Sequence, residues 1–222
     1  MIIAVLSPEG DDPREGAVLA ALFSAGLERY HVRKLLWSAV QLEAWLRALP
    51  AAWYPRLVLH QHHHLVTALG LGGRHWRDMP GNAGASAAVV PVDGRAGGGV
   101  LTSRSCHDLA TLRASLERYD SLFFGPVFPS VSKPGYGPSG NIPPHEIKSL
   151  FAGRTDAQRR ATVLALGGIT AETAAGAIAL GFDGVAVLGA VWRSGDPVGA
   201  FTAIRESVRA APVGNILSDH AA

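Results

Sequence analysis

The sequence predicts an α/β protein built as a single (β/α)8 barrel, on three observations. Eight short apolar runs alternate with about seven helical patterns along the whole length, as a parallel sheet with crossover helices requires. At 222 residues the chain lies at the small end of the barrel size range, and barrel closure is the economical arrangement for eight strands. The chemically distinctive residues also fall just after the strand candidates, at the rim where such barrels carry their sites. A doubly wound open sheet is the alternative, but no G-x-G-x-x-G follows the first strand, where a dinucleotide fingerprint belongs.

The elements follow in order. The apolar run Ile2–Leu6 leads to the helical pattern Pro13–Ala25. Strand Arg29–Val32 precedes helix Ser38–Leu49, and strand Arg56–Leu59 precedes helix His62–Leu69. After strand Arg74–Trp76 comes Pro80–Gly99, rich in Gly and Ala, which reads as a loop with a weak or missing fourth helix. Strand Val100–Ser103 leads to Asp108–Arg118, where Leu109, Leu112 and Leu116 share one helical face. Strand Ser121–Phe124 is followed, past a loop, by helix Pro144–Phe151. Strand Thr162–Leu166 meets Gly167-Gly168 and helix Ala171–Leu180, with Gly181 as C-cap candidate. Strand Gly184–Leu188 and helix Val198–Ala210 complete the set. With no boundary, repeat or charge block, residues 1–222 read as one domain, the tail from about 212 lying outside the barrel.

Composition excludes several function classes. A 48% hydrophobic content supplies a sizeable core. A formal charge of only +2 gives little support to phosphate-driven nucleic-acid binding. The one cysteine, Cys106, excludes an internal disulfide framework and fits a reducing compartment. The start MIIAVLSPEG lacks the basic region of a signal peptide, and no run approaches the roughly 20 apolar residues of a membrane span. A cytoplasmic enzyme with no membrane partner is expected.

Two segments suggest an anionic ligand. FGPVFPSVSKPGY (Phe124 to Tyr136) carries Ser130, Ser132 and Lys133, while ALGGIT (Ala165 to Thr170) places Gly167-Gly168 before a helix. Hydroxyls, a cation and backbone N–H groups at a helix start suit a phosphate. Arg33 and Lys34 follow strand two as a second pair of cations, and Gly189 follows strand eight. His60-Gln61-His62-His63-His64 invites a metal reading, since His60 and His64 stand four apart, but no acidic third ligand accompanies them. Cys106 and the tryptophans Trp37, Trp45, Trp53, Trp76 and Trp192 read as packing.

Through these segments, and GFDGVAVLGAVW, the chain resembles the thiamine phosphate synthase/TenI family from about Leu22 to Trp192. The resemblance implies that Ser130, Ser132, Lys133, Gly167 and Gly168 hold the phosphate of a thiazole, with the Gly189 backbone assisting. YHVRK looks like the family's Gln-x-Arg-x-Lys signature, so Arg33 and Lys34 match its pyrophosphate-binding cations and His31 stands in the place of glutamine. His60 and Gln61 fall where the family has an Asn-Asp pair, and Asp78 could match its second acid.

Two activities follow from the resemblance. A synthase joins an aminopyrimidine diphosphate to a thiazole phosphate and needs Mg²⁺ held by oxygen ligands, for which Asp78 is the remaining carboxylate. A TenI-like thiazole tautomerase needs no metal and uses a histidine after strand five, matched by His107 in Ser105-Cys106-His107. The tautomerase, an isomerase without cofactor, is the favoured expectation. There His107 shuttles the proton, while Arg33 and Lys34, near His31 and His60, meet the substrate carboxylate. The alternatives are a divergent Mg²⁺-dependent synthase and a non-catalytic phosphate-ligand binder. The expected partners are a phosphorylated thiazole, an aminopyrimidine diphosphate in the synthase case, and a second copy in a homodimer.

Overall fold

Eight parallel strands close on themselves in chain order in the computed structural model, which describes residues 1–77, 99–129 and 142–211. The strands are β1 (Ile2–Leu6), β2 (Arg29–Val32), β3 (Leu57–Leu59), β4 (Gly73–Trp76), β5 (Leu101–Cys106), β6 (Ser121–Phe124), β7 (Thr162–Leu166) and β8 (Gly184–Val187). Closure comes from β1 and β8, in register from Ile2↔Gly184 to Val5↔Val187. The expected (β/α)8 barrel is therefore the fold. The Pro80–Gly99 segment, apart from Gly99, lies outside the described residues, as does the tail from 212.

Around the strands run α1 (Glu15–Ser24), α2 (Ala39–Ala48), α3 (His64–Leu69), α4 (Leu109–Ser115), α5 (Pro144–Ala152), α6 (Asp156–Arg159), α7 (Ala171–Ala179), α8 (Gly189–Trp192) and α9 (Pro197–Ala210). Their starts are written in the sequence. Ser38 caps α2 in a capping box with Gln41, and the Asp108 carboxylate accepts from the Thr111 N–H at the head of α4. Pro197 opens α9, where a missing N–H costs nothing. Leu19 and Leu22 of α1 and Leu42 and Leu46 of α2 are fully buried against the sheet, each stabilising by roughly 1.5–3 kcal/mol relative to exposure.

Several boundaries differ from expectation, α4 ending early at Ser115 among them, and the short helices α6 and α8 are additional. Arg56 belongs to a 3-10 helix, Ala51–Arg56, so β3 starts one residue later. Strand β5 runs on to Cys106 because Ser105 and Cys106 pair with Phe123 and Phe124 of β6. Helix α3 begins at His64, since His62 takes a left-handed φ of 51° that a helix excludes.

The lower end of the barrel is tied by carboxylates. Asp120 accepts from the Thr102 N–H and hydroxyl, at 2.9 and 2.8 Å. Asp183 accepts from the Val163 N–H at 2.8 Å and from both terminal nitrogens of Arg154. Residues at this end serve stability, leaving the opposite rim for chemistry. Inside the barrel, Ala4, Leu6, Phe123, Leu164 and Ala186 form an apolar cluster. The β2–β5 side of the interior is instead polar.

Candidate active site

That polar side is built by three histidines from successive strands. His31 of β2, His60 just past β3 and His75 of β4 are all buried, and one ring nitrogen from each lies within 4.8 Å of the other two. His31 Nδ1 and His60 Nε2 are 3.2 Å apart. His75 is held between two hydroxyls of β5, with Nδ1 2.8 Å from Ser103 Oγ and Nε2 2.9 Å from Ser105 Oγ. The His60 and His75 rings stack with centroids 4.0 Å apart, and Phe123 packs on His31 and His75. Burial pushes the His31 imidazole down to about 3. It lowers His60 and His75 in the same direction, with the neighbouring imidazoles adding to the effect.

The expected cations after β2 have separate surroundings. Arg33 donates its N–H to Ser7 Oγ at 2.8 Å, and its guanidinium pairs with Glu9. Lys34 is fully buried: Nζ reaches Glu15 Oε2 at 2.5 Å and the Gly10 carbonyl at 2.6 Å, beneath the Trp37 ring at 4.9 Å. Tyr30 donates to the other Glu15 oxygen at 2.7 Å. Burial raises the Glu15 carboxyl, while the Lys34 and Tyr30 hydrogen bonds hold it back. Gln61 turns its amide N–H groups onto the Lys34 and Trp37 carbonyls. The histidine run does not form one helical face: His62 donates to the Trp37 carbonyl and His63 to the His75 carbonyl.

Across the rim, the loop after β6 lies along the end of β7. Val127 N–H donates to Leu166 O at 2.9 Å and Phe128 N–H to Gly167 O at 3.1 Å. Gly167 and Gly168 have φ of +91° and +65°, and a Cβ on Gly168 would stand 2.5 Å from Pro129 O and 2.6 Å from Phe128 Cβ. The glycine pair therefore lets the segment leading to Ser130, Ser132 and Lys133 approach the head of α7. Those three residues, and Asp78, lie outside the described residues. Gly168→Ala combines left-handed strain with a clash and is expected to cost about 2–4 kcal/mol, measurable as a lowered urea midpoint. Gly189 opens the short α8 after β8. His107 stands exposed before α4, its Nδ1–H donating to Gly125 O at 2.6 Å. It also borders a cavity of about 240 Å³ walled by Phe124, Phe128, Ile142, Ile147 and Leu180.

Sequence reading did not single out His75, Ser103, Glu15 or Tyr30. The signal was strand parity: His75 lies two residues from Gly73, and Ser103 two from Ser105, so each pair shares a face.

Comparison with known proteins now decides the family. Residues 4–191 match the family model described as thiamine monophosphate synthase. The chain belongs to this family. A thiamine-phosphate synthase of Methylobacillus flagellatus is 34% identical over 143 residues, covering 63% of this chain and 61% of its own length. The chain thus spans less than two thirds of that relative. The thiamine-phosphate synthase of Chromobacterium violaceum is 29% identical over 209 residues, covering 90% of this chain and 92% of its own length. Among solved structures, thiamine phosphate pyrophosphorylase from Bacteroides thetaiotaomicron shares the fold, with TM-score 0.71, 22% identity and coverage of 94% and 98% of the two chains. These names correct the expected order of activities. The relatives are synthases, hence transferases, and the tautomerase reading with His107 as its proton shuttle does not stand.

Proposed function

We propose that the chain is a divergent thiamine phosphate synthase, a transferase in thiamine synthesis that joins an aminopyrimidine diphosphate to a thiazole phosphate with release of pyrophosphate. The family match over residues 4–191, with relatives that carry the synthase name, is the observation that carries this reading. The thiazole phosphate is assigned to Gly167 and Gly168 with Ser130, Ser132 and Lys133, and to the Gly189 backbone. Arg33 takes the pyrophosphate end, where its guanidinium can exchange Glu9 for the anion. Lys34, buried on Glu15, braces this part of the rim from inside. His107, its ring oriented by the Gly125 carbonyl, is assigned a place beside the substrate.

The Mg²⁺ implied by the family resemblance does not fit the donors described here. Mg²⁺ takes hard oxygen ligands, whereas the position after β3 offers the His60 imidazole and a Gln61 amide turned onto two carbonyls. The nearby carboxylates Glu9, Asp12 and Glu15 are each bound to a cation.

The test is product analysis by mass spectrometry. Purified protein is mixed with both substrates in the presence of Mg²⁺, Mn²⁺, Co²⁺ or Zn²⁺ in turn. Thiamine phosphate is expected with at least one ion. Protein that is stabilised by the thiazole phosphate but makes no product with any of them would overturn the transferase reading in favour of a binder.

A further inference from the structure

We propose that His31, His60 and His75 form a site for a divalent transition-metal ion of the zinc class, a site unrelated to the Mg²⁺ of the family and independent of the reaction proposed above. Barrel interiors are normally filled by branched apolar side chains. Here the opposite wall keeps that character with Ala4, Leu6, Leu164 and Ala186, while the β2–β5 wall buries three imidazoles and two serine hydroxyls. Burying polar groups is unfavourable unless each finds a partner, and one does not. His60 Nδ1 is fully buried with no hydrogen-bond partner among the described residues, while its Nε2 is the nitrogen that faces His31.

Geometry and ligand type point to the same class of ion. A tetrahedral ion at about 2.0–2.1 Å from each nitrogen sets its ligand atoms roughly 3.3 Å apart. His31 Nδ1 and His60 Nε2 already stand at 3.2 Å, and the full set of three lies within 4.8 Å. His75 lies stacked on His60 with both nitrogens on serine hydroxyls, so ligation requires its ring to turn out of the stack and aim one nitrogen at the ion. That turn releases one serine and leaves the other to orient the ring, as second-layer partners of ligating histidines do. Three imidazoles without a carboxylate suit Zn²⁺, Co²⁺ or Ni²⁺ and disfavour Mg²⁺ and Ca²⁺. Three protein ligands also leave a fourth position open for water. The bland reading is a dry imidazole–serine network that binds nothing.

Titrating the metal-free full-length protein with Co²⁺, followed by visible absorption, separates the two. One Co²⁺ per chain is expected, with the strong bands of a low-coordinate site, displaced by Zn²⁺ and indifferent to Mg²⁺. His60→Gln and His75→Gln should each weaken binding about 100-fold or more, as loss of a direct ligand exceeds second-layer effects. His62→Gln with His64→Gln, in the run outside the cluster, should leave it unchanged. Absence of the bands, or bands that survive in both cluster variants or vanish in the His62/His64 variant, would overturn the proposal. Should the cluster variants fail to fold, the wild type decides by imidazole ¹⁵N resonances. Zn²⁺ should shift those of His31, His60 and His75 at one equivalent, and unshifted signals would overturn it.

Discussion

Lys34→Met is expected to destabilise the protein by about 3–5 kcal/mol, because it strands a buried carboxylate. The Lys34 and Glu15 side chains are 0% and 2% exposed, and their charges sit 2.5 Å apart. Once the ammonium is gone, Glu15 retains the Tyr30 hydroxyl but no opposite charge. The melting temperature should fall by roughly 6–20 °C, at 2–4 °C per kcal/mol for a chain of this size. The double replacement Glu15→Met with Lys34→Met should recover most of the loss, since apolar groups of similar volume replace a buried pair at little cost. A single-variant loss below about 1 kcal/mol, measured by reversible denaturation, would show that the pair does not hold β2 to α1 as the structure implies.

The second large effect is on acid stability. The imidazoles of His31, His60 and His75 titrate in the fold below the usual 6.5 because they are buried, His31 at about 3. The unfolded chain therefore binds more protons below pH 6.5, and stability must fall as pH drops from 6.5 toward the folded values. Each histidine contributes a loss of about 1.4 kcal/mol per pH unit, so the trio sets a limit of about 4 kcal/mol per unit. Glu15, shifted upward by burial, acts in the opposite sense and offsets at most one proton of that slope. Urea unfolding at pH 7.5 and 5.5 should show the difference, and His31→Gln should reduce the slope by about one proton. A stability unchanged between these two pH values would contradict the buried, neutral cluster.

Both effects arise from contacts that the sequence does not display locally. Strands β1, β6 and β7 read directly, because parallel strands covered on both faces are near-continuous apolar runs. The Gly167-Gly168 turn reads directly too, since few other sequences allow two successive positive φ values before a helix. By contrast, Lys34 and Glu15 are 19 residues apart and stand on different elements. In the sequence Lys34 reads as an anion-binding partner of Arg33, whereas in the fold its ammonium is enclosed by the Trp37 ring and the Glu15 carboxylate. The histidine cluster is hidden in the sequence for a related reason. Residues 60–64 draw the eye as a run, yet a left-handed His62 breaks it. His60's partners, His31 and His75, come from neighbouring strands. Only the parallel pairing of β2, β3 and β4 brings positions 31, 60 and 75 together.

Pyrophosphate release tests the central claim most directly. Wild-type protein is supplied with aminopyrimidine diphosphate and thiazole phosphate together, then with each one omitted, under every divalent ion in turn. The account predicts release that requires both substrates and falls in Gly168→Ala, with one thiamine phosphate formed per pyrophosphate. Release that persists without the thiazole phosphate, or none with any ion from folded protein that binds both substrates, would contradict a thiamine phosphate synthase.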